Sequence, residues 1–538
     1  MRKKGLGRLR HRMAAAGLLR RVSFSMAVAA AGAVLASCVW IAQGVQVQPV
    51  APAQGTVVTT PVKAHLEDGS TVVYPDGVTV DENSLRGAGD RYNLTLTESE
   101  RVFVVPLEEV VAMESYRTDV QAAESVLVSA LATVGVVGAA ALIKVAFGSC
   151  PTVYSADGAF GEAELFSSSV APLFEARDLD RLRARPGLDG TLTLEVRNEA
   201  METHYINHLQ VLEVVHGPDG FVLPDSRGRP VVVGAIRPAR AITDRSGRDV
   251  SRDLAAADDL AYSTPIDRID AVIDADGGDD LDDWLDLEVA VPPGSRELAL
   301  VLRLRNSLLG TVFFYNVMLE PMGAAGLDWL GADLDRISTA VELGRWLGER
   351  AGLRVSLWSD GEYREVARVA DSGPVFWHDV AARIPVPPGE TSLALRLSFM
   401  ADHWRVDRLG VADEVLEPVP RTIGIHEVTD RDGVSDPVAF GRIAQTDMEY
   451  LETRPGQNFF AHFSVGELPA GRARTFLLSS LGYYTEWIRG EWIREAPAEA
   501  ERFDPDDERL LEALREWRGV RDEFEAQFRA SRVATGGE

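Results

Sequence analysis

Through the middle of the chain, apolar side chains recur at every second position. Thr191–Val196, Leu298–Leu304 and Leu393–Phe399 all show this alternation, the mark of strands with one buried face. Shorter β-rich runs, Ser70–Tyr74 and Arg101–Val105, lie near the hairpin dipeptides Asp68-Gly69 and Asp76-Gly77. A helical period replaces the alternation twice. Leu327, Leu330, Leu334, Ile337, Val341 and Leu347 form a stripe over 327–350. Leu510, Leu514, Trp517, Phe524 and Phe528 form another over 505–531, with Asp504 as its cap and Pro505 in its first turn. Two stretches carry no charge, 22–42 and 125–143, and each is long enough to cross a bilayer.

These patterns predict a mainly β, multidomain protein. A small β-barrel or roll is expected over 63–118 and an apolar helix, in the membrane or buried, over 122–147. One or two β-sandwich or jelly-roll domains follow, over 148–325 and, with a preceding helix, over 326–420. An aromatic-rich region, 421–538, ends in an amphipathic helix. Residues 43–62 are rich in Gln, Val, Pro and Thr and read as the end of a tether spanning 38–62. An internal echo refines the middle: Val291-Pro292-Pro293-Gly294 before Leu298-Ala299-Leu300 recurs as Val386-Pro387-Pro388-Gly389 before Leu393-Ala394-Leu395. The echo implies two related sandwiches or a repeat inside one.

The N-terminus carries an address. Residues 1–21 hold eight Lys/Arg and no acid, and the uncharged run Val22–Leu35 leads to Leu35-Ala36-Ser37-Cys38. A basic region, an apolar region and small residues before a cleavage point make an export signal. The ending resembles the lipobox of bacterial lipoprotein precursors. That resemblance implies removal of 1–37, lipidation of Cys38, and a place on the extracytoplasmic side of the cell envelope. An uncleaved membrane helix is the other reading of the same run. If 125–143 also spans, residues 150–538 return to the cytoplasm; if that segment is buried or re-entrant, both folded parts stay on one side.

Charge and cysteine narrow the functions. The chain carries −27 overall, and loss of the leader removes eight of its 55 basic residues and none of its 82 acidic ones. Such a body repels phosphate backbones, which argues against nucleic acid as a partner. The two cysteines are Cys38 and Cys150, so lipidation of the first excludes an internal disulfide.

Several clusters are candidate sites. His204 and His208 have the spacing that aligns two imidazoles on one helical or strand face, with metal ligation as one reading and ordinary hydrogen bonding as the other. Asp274, Asp276, Asp279 and Asp280 crowd Gly277-Gly278, and Asp430, Asp432 and Asp436 form a second acidic loop. Both are candidates for calcium, a hard ion that takes oxygen ligands, or are solvated acidic loops. Tyr483, Tyr484 and Trp487, with Trp492 beyond, are dense enough to stack on a sugar or to close a core. No nucleophile elbow, phosphate loop, dinucleotide fingerprint or paired-cysteine motif is present, so no catalytic residue is assigned.

The segment from Gly352 to Val411, with Trp358, the Asp360-Gly361 turn and His403-Trp404 as its markers, resembles galactose-binding-like jelly rolls. The resemblance implies a glycan or other ligand held by loops at one end of a sandwich, beside a structural calcium, and makes Trp404 a candidate contact. The expectation is a non-catalytic, lipid-anchored envelope protein that binds a glycan or another envelope protein. A polysaccharide hydrolase and a membrane-spanning structural or signalling protein are the alternatives.

Overall fold

The structure is a computed structural model that describes residues 43–49, 57–120, 151–155, 163–164, 176–486 and 506–530, with short gaps at 60–61, 67–69, 75, 93–98, 201, 259, 276–279, 324, 327–328, 330–336, 448 and 455. Cys38, the leader, the apolar segment 125–143, Cys150, Asp276, Asp279, Trp487 and Trp492 lie outside the described residues. The protein is mainly β, and the described residues form five sheets.

The N-terminal sheet is an eight-stranded antiparallel unit, wider than the small β domain expected over 63–118. Gln43–Pro49, placed in the tether by its composition, pairs along its whole length with Val110–Val120. Its alternation of Gln with Val45 and Val47 is a strand period too short to stand out in sequence. Val62, Ala64 and Leu66 point inward from one strand and Val72 and Tyr74 from the next. Gly87 and Gly89 make room for the Tyr74 ring: a Cβ on Gly89 would lie 2.8 Å from it.

The central body is one sandwich. Its five-stranded sheet runs, in spatial order, Ala241–Asp244, Asp282–Ala290, Ser392–Met400, Leu353–Ser359, Glu362–Val369. Its four-stranded sheet runs Arg237–Pro238, Trp404–Ala412, Glu297–Asn306, His378–Pro385. Leu285, Leu287 and Val289 from one sheet meet Leu298, Leu300 and Leu302 from the other in a single core. The echoed segments are the two corners where the chain changes sheet. Asp282–Ala290 pairs with Ser392–Met400, and Glu297–Asn306 pairs with His378–Pro385. The Val291 N–H donates to Thr391 O at 3.0 Å, and 95 residues on the Val386 N–H donates to Arg296 O at 2.9 Å. Gly294 and Gly389 sit at φ +85° and +88°, a backbone region that only glycine enters without strain. The echo is therefore a pseudo-two-fold inside one sandwich, and the expected boundary at 325/326 falls within it.

The sandwich is inserted into another sheet. Nine strands from 152–216 and 421–486 form that outer sheet, with Glu202–His216 beside Ala473–Glu486 on one side and Arg421–Thr429 on the other. The two strands at the ends of its order, Ala163–Glu164 and Ala176–Leu182, come back together, so the sheet curls toward closure. Residues 421–486 thus complete this sheet and are not a separate C-terminal region. The chain leaves it through Phe221–Pro224 and Pro230–Val233 and returns through Val415–Leu416. The outgoing and incoming segments pair at Val232–Leu416 and Val233–Val415.

Helices close one end of the sandwich. α1 is Ile266–Asp274. α2 begins at Leu309–Thr311, widens into a π-helix over Val312–Leu319 and ends at Glu320–Met322. α3 is Ile337–Arg350; α4, Pro437–Ile443, packs instead on the outer sheet; and α5 is Asp507–Ala530. The C-terminal stripe behaves as its period predicts: Leu510, Leu514, Trp517, Phe524 and Phe528 are buried against α1 and α2. A buried carboxylate helps to tie α5 to the sandwich. Asp402, fully buried at φ +58°, accepts from Trp517 Nε1 at 2.7 Å and from Arg405 at 2.8 Å, with Arg521 at 3.3 Å. Its backbone N–H donates to Thr264 Oγ1, and its carbonyl accepts from Ser307 Oγ. Trp517→Ala is expected to cost about 3–5 kcal/mol through the cavity it leaves. Trp517→Phe keeps most of the packing and should cost about 1–3 kcal/mol, from the lost donor to a buried charge. Urea denaturation of the two variants checks the order.

Candidate functional site

The outer faces of the two sandwich sheets differ in chemistry. On the four-stranded sheet, Ala299, Val301, Ala381 and Ala412 point outward and are sealed by Leu223, Val231 and Val233 of the small three-stranded sheet. On the five-stranded sheet, the positions related to Ala381, Val301 and Ala299 by the 95-residue offset are Asp286, Arg396 and Ala394. No element among the described residues covers this second face.

Alternation builds the site. Leu285, Leu287 and Val289 turn into the core, so Trp284, Asp286 and Glu288 face out. Leu395 and Leu397 turn in, so Arg396 faces out. Leu353, Val355 and Leu357 turn in, so Arg354, Ser356 and Trp358 face out. The two-residue turn at Asp360 (φ +54°) and Gly361 (φ +88°) then sets Trp358 opposite Tyr363.

These side chains form a column across the sheet. The Arg245 guanidinium lies 4.0 Å from the Trp284 ring, and Arg396 lies 4.4 Å from Trp284 and 4.3 Å from Tyr363. Arg396 also donates twice to Asp286, at 2.7 and 2.8 Å, and the Tyr363 hydroxyl donates to Asp286 at 3.2 Å. Burial first, and the Asp286 charge next, hold the Tyr363 phenol above its usual range, so it stays a donor. Trp358 meets Tyr363 edge-on at 4.9 Å and is 49% exposed. Trp284 is packed with two guanidiniums, whereas Trp358 presents its ring to solvent.

Of the candidates drawn from sequence only Asp280 touches this column, through Arg245; the aromatics and histidines lie elsewhere. Trp404 is fully buried, its indole donating to Ala351 O at 2.8 Å. Tyr483 stacks on Tyr205 at 4.6 Å, and Tyr484 is buried in the same core. These aromatics close cores and present no ring to a ligand. The expected shared face of His204 and His208 is broken by a β-bulge between Ile206 and His208. His204 faces Tyr484 and His208 faces Leu481, an odd step along an unbroken strand, so the two imidazoles point to opposite faces. His204 pairs instead with buried Glu202 at 3.2 Å.

Asp280 pairs with Arg245 and Arg268, and Asp274 ends α1. Asp430 accepts from the backbone N–H groups of Asp432 and Val434. Asp436 caps α4 through Val438 and Ala439. Among the described residues no three His, Cys, Asp or Glu side chains are grouped to hold a metal. A further polar cluster was not anticipated. His378 Nδ1 lies 2.7 Å from Asp180 Oδ1, next to Asp178, whose carboxyl is pushed well up by burial and then by the Asp180 charge. Asp178 and Asp180 alternate along one strand, a spacing too common in an acidic chain to draw notice.

No family model matches the chain, and no curated protein sequence matches it. Among solved structures, similarity is found to the GH31 alpha-xylosidase of Xanthomonas citri, at 11% identity over 81% of this chain and 38% of that one, with a TM-score of 0.14. The structure of infectious bursal disease virus Gt strain is similar at 11% identity over 91% of this chain and 94% of that one, with a TM-score of 0.11. This chain therefore spans well under half of the xylosidase, and neither score supports an argument about fold or activity.

The buried histidines set an acid limit. Burial lowers His204 to about 3, and burial with the nearby Arg177 charge lowers His208 to about 4. Unfolded, both titrate near about 6.5, so below that pH the unfolded chain takes up protons the folded one refuses. Their contribution is whole above about pH 6.5 and falls toward pH 4, at up to about 1.4 kcal/mol per pH unit for each histidine. Urea midpoints at pH 7, 6 and 5 should drop accordingly, and His208→Gln should flatten the slope.

Proposed function

We propose that the protein is a non-catalytic, lipid-anchored envelope protein that binds a glycan on the outer face of its five-stranded sheet. The observation that carries this reading is the contrast between the two sheet faces. One is small, apolar and sealed; the other keeps a solvent-facing indole beside a locked row of guanidinium, carboxylate and phenol groups. A sugar offers C–H faces to an aromatic ring and hydroxyls to fixed donors and acceptors, and the Trp358 end of the column supplies both. This position is on the sheet face, away from the end loops implied by the galactose-binding-like resemblance.

The anchor in this reading is Cys38, through the lipobox Leu35-Ala36-Ser37-Cys38. Lipoprotein modification adds more than one acyl chain, enough for stable attachment. Among the described residues no helix is long and apolar enough to cross a membrane.

A hydrolase reading has one observation in its favour, the Asp178–Asp180–His378 cluster, because a carboxyl pushed up by burial and a neighbouring carboxylate is the kind a general acid uses. Product release lost in Asp178→Asn, with binding retained, would promote it over the binding protein.

The main test is binding of the full chain to envelope polysaccharides. Trp358→Ala is expected to weaken binding by about tenfold or more, the scale of one stacked aromatic. An unchanged affinity in that variant would remove the site. Intact mass of the N-terminal peptide from membrane extracts should show a lipidated Cys38 and no residues before it.

A further inference from the structure

We infer that the glycan bound at this face is neutral, an inference that rests on the Trp358 site proposed above. The argument comes from how the arginines of the face are used. Arg245, Arg354 and Arg396 pair with Asp280, Asp282 and Asp286. The adjoining edge strand does the same where it shares this face: Arg368, opposite Arg354, pairs with Glu365. Arg240, at the opposite edge, pairs with Glu288.

A uronate or phosphate on this face would therefore have to take a guanidinium from a carboxylate. At the centre that exchange is costly. The side chains of Arg396 and Asp286 are 27% and 32% exposed, and Asp286 also holds the Tyr363 hydroxyl. Displacing Arg396 would leave a half-buried carboxylate without its bidentate partner. An anionic ligand would in addition approach a chain of net charge −27, which repels it at long range.

A neutral sugar meets neither obstacle. Carboxylates engaged by arginine keep spare lone pairs that accept from hydroxyls, and the exposed indole of Trp358 needs no charge on its ligand.

The experiment titrates the full chain with neutral gluco-, xylo-, manno- and galacto-oligosaccharides and with acidic oligogalacturonate and hyaluronan fragments, each at 20 and 500 mM NaCl, for wild type and Trp358→Ala. The expected result is a neutral oligosaccharide as the tightest ligand. Its Kd should change less than about twofold with salt and rise about tenfold or more in Trp358→Ala. An acidic glycan that binds tightest, weakens steeply with salt and is lost in Trp358→Ala would overturn neutrality while leaving the site in place. A neutral glycan that binds Trp358→Ala as well as wild type would overturn the site itself. Failure of every glycan to bind would overturn both.

Discussion

The sandwich depends on one shared register. Asp282–Ala290 against Ser392–Met400 in one sheet, and Glu297–Asn306 against His378–Pro385 in the other, are fixed together by two corners with the same backbone hydrogen bond. A slip of one residue in either ladder would turn its leucines outward and its polar residues inward. In the first ladder it would also separate Arg396 from Asp286 and remove the charge pairing on which the outer face is built. Core and surface are two readings of a single alignment, so neither can change without the other.

That alignment explains how far the sequence could be read. The strands were legible because burial of one face writes a period of two, as in Leu285, Leu287 and Val289 or Leu393, Leu395 and Leu397. The C-terminal helix was legible because Leu510, Leu514 and Trp517 repeat with the helical period. The Val-Pro-Pro-Gly echo marked two equivalent corners but not which strands pair across them. The nesting of the sandwich inside the outer sheet was not legible, since strands on either side of the insertion carry the same alternation as strands within it.

The site was legible only in pieces. Trp358 stands out beside the Asp360-Gly361 turn, but Arg396 and Asp286 are 110 residues apart in the chain, and nothing local shows that they meet. Aromatic density left two readings open for Tyr483 and Tyr484, and burial selects the closed core, because clustering in sequence does not tell which face of a strand a ring takes. The His204–His208 spacing misled for a sharper reason. One extra residue at Asn207 reverses the alternation, and a bulge leaves no signature in the spacing itself. Asn207 stabilises that irregularity by donating to the Asp447 carbonyl at 2.6 Å and accepting from the Asp447 N–H.

The insertion also sets an order of events during folding. Glu202–His216 and Arg421–Thr429 are neighbours in the outer sheet, yet about two hundred residues separate them. Closing a loop of that length is slow and entropically unfavourable while its residues are unstructured. Once the sandwich has formed, Val415–Leu416 is held beside Val232–Val233, and the long loop is reduced to a short one. Until then Glu202–His216 lacks its Arg421–Thr429 neighbour and leaves an open edge with which other strands can pair.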